Sequence, residues 1–249
     1  MFYKSRNRAF NLASGFILFV LLAITSFRVL AAGSPTEVEW LSWPDYCKAG
    51  YLASDWSAGS PFKGRMPESQ IRQIRASHDA TVGIGGPHHF CMAMLYVGRA
   101  KGMNRKGKSA EILRNALGDF EYSYSRTRTN APMYSLLTAY YGMALDGLGR
   151  RDEALQMWNR GINSQPKARE SYLAMAEALL SEKRPKDALD VLLRYEAQKE
   201  YDTPDGEYFL GHTYFELKQY DKAREHADKA YRLGYPFPGL RNKLERLKQ

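Results

Sequence analysis

The sequence predicts an all-α protein built from repeated helix–turn–helix units. No segment shows the alternation of apolar and polar side chains that marks a strand, and apolar residues recur at helical spacing along most of the chain. Two sets of small residues also recur 34 or 35 positions apart: Gly142, Ala176 and Gly211, and Ala154, Ala188 and Ala223. A period of this length is typical of stacked helical hairpins.

The composition excludes several classes of protein. Of 249 residues, 44% are hydrophobic and only 2 are cysteines, so the chain is neither a disordered tail nor a disulfide-dense scaffold. The net charge of +9 at pH 7 would suit nucleic acid, but four basic residues and no acidic one lie in the first 32 positions. The remainder has a net charge of +5 and no basic cluster interleaved with aromatic residues. We therefore expect no nucleic-acid partner.

The first 32 residues have the layout of an export segment. Three basic residues between positions 4 and 8 precede an apolar run over 9–26, and Ala31 and Ala32 follow. This order is typical of a cleaved signal peptide. The run is also almost long enough to span a bilayer, which needs about 20 residues, so a retained N-terminal membrane anchor is the open alternative. In both cases the rest of the chain is expected to be exported, either periplasmic or anchored to the inner membrane and facing the periplasm.

The next segment, over 33–87, is irregular and rich in aromatic residues. Trp40 and Trp43 are one turn apart and suit a short helix, and Pro44 suits the start of the next. We expect these side chains and Trp56 to close one end of a helical core. If they were exposed, they would instead form a surface for a sugar or a partner.

A helical hairpin is expected over 88–130. A helix that begins near Pro67 ends at the glycine-rich stretch over 81–86, and Pro87 suits the first turn of the following helix. A second apolar pattern, over 111–124, supplies the other helix of the pair.

Cys47 and Cys91 are the only cysteines, and in an exported chain we expect a disulfide between them. The open alternative is chemical, because several potential ligands lie near Cys91 in the sequence. This second candidate is a metal-binding, redox or hydrolytic site formed by His78, His88, His89, Cys91 and Asp45. The spacings of familiar zinc and haem sites are absent, so we expect no metal and no cofactor.

Three copies of one pattern begin near residue 135. The first contains Tyr141, Gly142, Leu145, Leu148, Gly149, Arg150, Glu153, Ala154, Trp158, Gly161 and Pro166. The second contains Tyr172, Met175, Ala176, Leu179, Ala188, Leu192 and Tyr195. The third contains Leu210, Gly211, Tyr214, Leu217, Tyr220, Ala223, Ala227, Ala230 and Pro236. Over about 135–236 the chain resembles the tetratricopeptide repeat (TPR), a helix–turn–helix unit of 34 residues.

The resemblance implies a right-handed α-solenoid of TPR units with an irregular, aromatic-rich helical cap at its N-terminal end. It divides the chain into the export segment or anchor over 1–32, the cap over 33–87, a degenerate repeat over 88–130, three TPR units over 131–236 and a capping helix over 237–249. Because no unit buries its apolar face alone, about three copies and caps are needed for stability.

In the TPR family the first helices of the units line a concave groove that usually holds a peptide. Carried over to this sequence, the groove contains Met143, Asp146, Leu173, Glu177, Leu180, Tyr208, His212, Phe215 and Glu216, with Leu136, Ala139, Glu170 and Asp205 beside them. This set is acidic and aromatic and has no lysine or arginine, so we expect an apolar or basic partner segment. His212 is expected to titrate near neutrality.

The resulting functional expectation is a non-enzymatic scaffold for protein–protein interaction in the bacterial cell envelope. It would bind a protein or peptide and help to assemble a secretion, pilus or polysaccharide machine. The alternative is the metal-binding, redox or hydrolytic protein that would use His88, His89 and Cys91.

Overall fold

The computed structural model describes residues 34–103 and 106–247, so the expected signal peptide or anchor over 1–32 lies outside the described residues. The described part contains helices and no β-strand, which confirms the all-α class. The α-helices are α1 Glu37–Ser42, α2 Asp45–Leu52, α3 Glu68–Ala76, α4 His78–Thr81, α5 Pro87–Lys101, α6 Lys106–Tyr124, α7 Tyr134–Gly147, α8 Arg151–Ser164, α9 Glu170–Ser181, α10 Pro185–Glu196, α11 Pro204–Glu216, α12 Tyr220–Arg232 and α13 Gly239–Arg246. Within the described residues, none of these helices has both the length and the apolar character needed to cross a membrane.

Local signals in the sequence explain where several helices begin. Thr36 and Glu39 form a capping box at the start of α1, in which each side chain accepts a backbone N–H from the other residue. Pro87 is the first residue of α5, as predicted, because its missing N–H costs no hydrogen bond there. Helix α6 begins at Lys106, ahead of the apolar pattern over 111–124. Lys106, Lys108 and Ala110, which lie between this start and the pattern, favour helix.

The helices pack as adjacent pairs: α5 with α6, α7 with α8, α9 with α10, and α11 with α12. The first helices of successive pairs also touch, because α5 packs against α7, α7 against α9, and α9 against α11. Helix α13 follows the last pair and buries Leu240 and Leu244 against α11 and α12. Consecutive first helices therefore lie side by side.

The recurring small residues mark the closest approaches within the pairs. A Cβ atom on Gly142 of α7 would lie 2.2 Å from Nε1 of Trp158 on α8, and the indole is fully buried. A Cβ atom on Gly211 of α11 would lie 3.1 Å from the backbone nitrogen of Ala227 on α12. The residues at these repeat positions are small because the neighbouring helix leaves no room for more.

The turn inside the pairs α7–α8, α9–α10 and α11–α12 also repeats. Gly149, Lys183 and Lys218 adopt positive φ angles of 78°, 61° and 61° and end α7, α9 and α11 in the left-handed region. Glycine adopts this conformation without steric cost, whereas a lysine does not.

The N-terminal cap is attached to α5 by a disulfide and an ion pair. Cys47 on α2 is bonded to Cys91 on α5, as predicted, with their Cα atoms 5.6 Å apart. Glu39 on α1 accepts hydrogen bonds of 2.7 Å from both Nε and Nη2 of Arg99 on α5. Trp40 and Trp43 are 4% and 5% exposed, so they are core residues and not a binding surface.

Candidate functional site

Three adjoining cavities follow the first helices of the pairs. The first, of about 240 Å³, lies between α5, α7 and α9, the second, of about 290 Å³, lies between α7, α9 and α11, and the third, of about 430 Å³, lies between α9, α11 and α13. Glu177 on α9 lines all three cavities. We call the surface formed by these cavities the groove.

Most of the side chains predicted for the groove line these cavities. Those that do are Met143, Asp146, Leu173, Glu177, Leu180, Tyr208, His212 and Glu216, together with Leu136, Ala139, Glu170 and Asp205. Phe215 is not among the lining residues. Its ring instead packs edge-on against Tyr220, with centroids 5.6 Å apart, at the junction of α11 and α12.

The assigned set has no lysine or arginine, but basic side chains from other positions pair with its carboxylates. Asp146 forms an ion pair with Arg151 of α8 at 2.6 Å, and Glu177 forms one with Nζ of Lys101 of α5 at 2.8 Å. Toward the other end, Glu216 pairs with Lys243 of α13 at 3.3 Å. These cations come from helices that the repeat register did not assign to the groove.

The middle of the groove is paired in the same way. Arg169, just before α9, lies 3.7 Å from the carboxylate of Asp205, and both line the second cavity. Burial raises the pKa of Asp146, an effect that the Arg151 guanidinium partly opposes. The carboxylates named here therefore have cationic neighbours, and the groove offers little net negative charge for steering a basic partner.

His212 lies at the base of the third cavity. Its Nε2 is 3.1 Å from Nζ of Lys243, while its buried Nδ1 has no hydrogen-bond partner within the described structure. Burial is the larger cause and the positive charge of Lys243 the smaller one, and both lower the pKa of His212 below its usual value. The direction of this shift favours the neutral imidazole and runs against the expectation that His212 titrates near neutrality.

Several aromatic groove residues were not found from the sequence. One of them is Tyr235, whose ring stacks on that of the predicted Tyr208 with centroids 3.9 Å apart, and both rings line the third cavity. Tyr140 and Phe209 line the second cavity. Tyr235 follows the last repeated helix, so the repeat pattern gave no signal for it. Tyr140 and Phe209 are next to predicted groove positions, and the helical spacing could have included them.

The His and Cys cluster near α5 is not assembled as the alternative function requires. Cys91 is fully buried in its disulfide, so no thiol is available. His78 places Nε2 2.8 Å from the carbonyl oxygen of Ile84, and Asp45 pairs with Lys48 at 3.4 Å. In the described ranges, no group of three or more His, Cys, Asp or Glu side chains is placed to hold a metal ion.

The two remaining histidines belong to an aromatic cluster. Nδ1 of His89 lies 2.6 Å from Oδ1 of Asp119 on α6, and the imidazole ring stacks near Tyr122 with centroids 4.0 Å apart. Trp56 packs edge-on against both His88 and His89. Burial lowers the pKa of His88 to about 4, with a smaller contribution from His89. These contacts join the cap to α5 and α6.

Comparison with known proteins adds no family assignment. No family model matches the chain, and no curated protein is significantly similar to it.

Proposed function

We propose that this chain is a non-enzymatic scaffold of the TPR type, a right-handed solenoid whose groove binds a segment of another protein. The proposal rests on the 34- and 35-residue spacing of small residues, on the pairing of α7 to α12, and on side-by-side first helices. Repeat proteins of this architecture typically bind partners on the surface formed by successive repeats.

The observation that carries the proposal is the continuity of the groove. Met143, Ala174 and Glu177 line both the first and the second cavity, and Glu177 and Phe209 line both the second and the third. A surface that continues across four helix pairs suits an extended or helical segment better than a small molecule. Its paired charges and aromatic side chains favour a segment that is apolar over one that is strongly charged.

The location follows from the first 32 residues together with the disulfide. An apolar run behind a basic start indicates export, and a disulfide persists in an oxidising compartment. We therefore place the scaffold in the bacterial envelope, where it would help to assemble a multi-protein machine.

Site-specific photo-crosslinking in the native envelope tests this function. A photoreactive phenylalanine derivative at Leu180, which lines the third cavity, should give a discrete protein adduct. The matched control is the same substitution at Leu193 of α10, which is 46% exposed and lies on a second helix of a pair. Adducts of equal yield at both positions, or none at Leu180 in a folded protein, would contradict binding in the groove.

A further inference from the structure

The first groove cavity is lined mainly by apolar side chains and also by Ser109, Asp146 and Ser181, and the exposed Lys101 and Glu177 form its rim. Met143 of α7 and Leu113 of α6 line it, Val97 contributes from α5, and Ala174 and Ala178 contribute from α9. The small side chains on α9 leave the space open, while Trp158, Val97 and Leu113 are fixed in the core. The pocket lies where the hairpin formed by α5 and α6 meets the first of the predicted TPR units.

Its volume suits a single large side chain. A volume of about 240 Å³ exceeds the roughly 150 Å³ of an apolar cavity that is known to hold benzene. It is smaller than the range of about 300 to 1,000 Å³ typical of pockets for drug-sized ligands. One phenyl or indole ring therefore fits the space, and a whole cofactor does not.

The rim is an ion pair that can open. Nζ of Lys101 lies 2.9 and 2.8 Å from the two carboxylate oxygens of Glu177, so the pair connects α5 and α9. The two side chains are 51% and 44% exposed. Exposed pairs of this kind contribute little to stability, about 0 to 1 kcal/mol, so separating them is not costly.

The charges at the rim indicate which side chain would enter. A lysine of the partner that replaced Lys101 on Glu177 would leave Lys101 without its carboxylate, and an acidic residue would leave Glu177 without its cation. An uncharged ring competes for neither charge: the pair has only to separate, at the small cost given above, and the ring removes its own apolar surface from water, at about 25 cal/mol per Å².

We propose that this pocket is the specificity pocket of the groove and binds one aromatic side chain, phenylalanine or tryptophan, from the partner segment. This inference rests on the proposed function of the groove. The Lys101–Glu177 pair is the gate of the pocket, and Met143 is its floor.

Methyl NMR with capped amino acids tests the inference without a known partner. The protein is labelled with ¹³C at its methionine methyl groups, and the Met143 signal is assigned from Met143→Leu. N-acetyl-phenylalaninamide and N-acetyl-tryptophanamide should shift this signal in a saturable way, whereas N-acetyl-lysinamide should not. Met175 of α9, which does not line the pocket, is the internal reference.

Two variants separate the pocket from general surface binding. Ala178→Leu should fill the space and abolish the shift, while Ala197→Leu, at an exposed position after α10, should leave it unchanged. Lys101→Ala removes the gate and should tighten binding of the aromatic amides by about two- to fivefold. Thermal unfolding of each variant verifies that it is folded.

The outcomes distinguish this inference from the proposed function. No saturable shift with either aromatic amide, or an equal shift with the lysine amide, would overturn the pocket assignment. Aromatic binding that is lost in Ala178→Leu would support the pocket even if crosslinking at Leu180 failed, and that failure would overturn only the proposed function. Crosslinking at Leu180 that is unaffected by Ala178→Leu would show that the partner bypasses the pocket.

Discussion

Gly142→Ala probes the helix packing that underlies the repeat. The new Cβ would lie 2.2 Å from Nε1, 2.6 Å from Cδ1 and 2.7 Å from Cε2 of Trp158. The indole cannot move easily, because it is fully buried and its Nε1 donates a hydrogen bond of 3.1 Å to the carbonyl oxygen of Ala139. Either the ring or one of the two helices must shift.

The expected loss of stability has three parts. Overpacking a filled core costs about 1 to 3 kcal/mol, and losing the partner of a buried N–H costs about 1 to 3 kcal/mol. The better helix propensity of alanine offsets about 1 kcal/mol of this. The sum is a destabilisation of about 1 to 5 kcal/mol, with about 3 kcal/mol as the central value.

Gly118→Ala is the matched control. Gly118 lies in the interior of α6, and a Cβ added there meets no atom within 4 Å. Only the propensity effect remains, so this variant should be stabilised by about 1 kcal/mol. The same chemical change is thus expected to have opposite signs at the two glycines.

Urea unfolding followed by far-UV circular dichroism, with the disulfide intact, measures both free energies of unfolding. Tryptophan fluorescence would also report the displaced indole in Gly142→Ala. If Gly142→Ala were as stable as the parent chain, the close contact between α7 and α8 would not exist as described.

Three further predictions concern a turn, the disulfide and an ion pair. Lys218→Gly should raise the free energy of unfolding by about 1 kcal/mol, because Lys218 has a φ of 61° that glycine adopts without strain. The control Lys222→Gly, within α12, should lower the free energy of unfolding by a similar amount. If both variants were destabilised equally, the turn would not be strained. Cys47→Ser with Cys91→Ser opens a loop of 44 residues and should lower the free energy of unfolding by about 4 kcal/mol, so an unchanged urea midpoint would contradict the bond. The pKa of Glu39 is lowered to about 2 from 4.5, chiefly by its hydrogen bonds to Arg99, so its stabilising effect is present above pH 4.5 and is lost as the pH falls through 2. Glu39→Gln should therefore reduce the slope of stability against pH in this window by up to about 1.4 kcal/mol per pH unit, and an unchanged slope would exclude the carboxylate as its source.

The repeat pattern carried most of the information about the fold. The small size of Gly142 and Ala154 could be interpreted from the sequence, because they lie on two consecutive helices that pack together and are close in the chain. Pro87 and the glycines before it likewise mark a boundary through their own backbone preferences. The left-handed turn at Lys183 and Lys218 was not predicted, because lysine gives no signal for it and the packing of the flanking helices imposes the conformation.

Most of the residues that the sequence assigned to the groove line the cavities, but the basic side chains beside them were not assigned. Asp146, Glu177 and Glu216 were assigned from the register of the first helices, and each lines the groove. Their cationic partners come from outside those helices, as with Lys101 and Lys243, and no local pattern pairs residues that lie 76 or 27 positions apart. Phe215 does not line the cavities: it lies near the end of α11, where its ring packs against Tyr220 and under Nζ of Lys243.

Helix α5 connects the cap to the groove. Near its start Cys91 joins it to α2, and in its last turn Arg99 joins it to α1 while Lys101 forms the rim of the first cavity. Val97, on the same helix, forms part of the pocket wall. A helix held at several points by the cap can keep Lys101 and Val97 in fixed positions relative to α7. Loss of the disulfide should therefore loosen the first cavity more than the third, because the described residues that line the third all follow the start of α9 and none belongs to the cap.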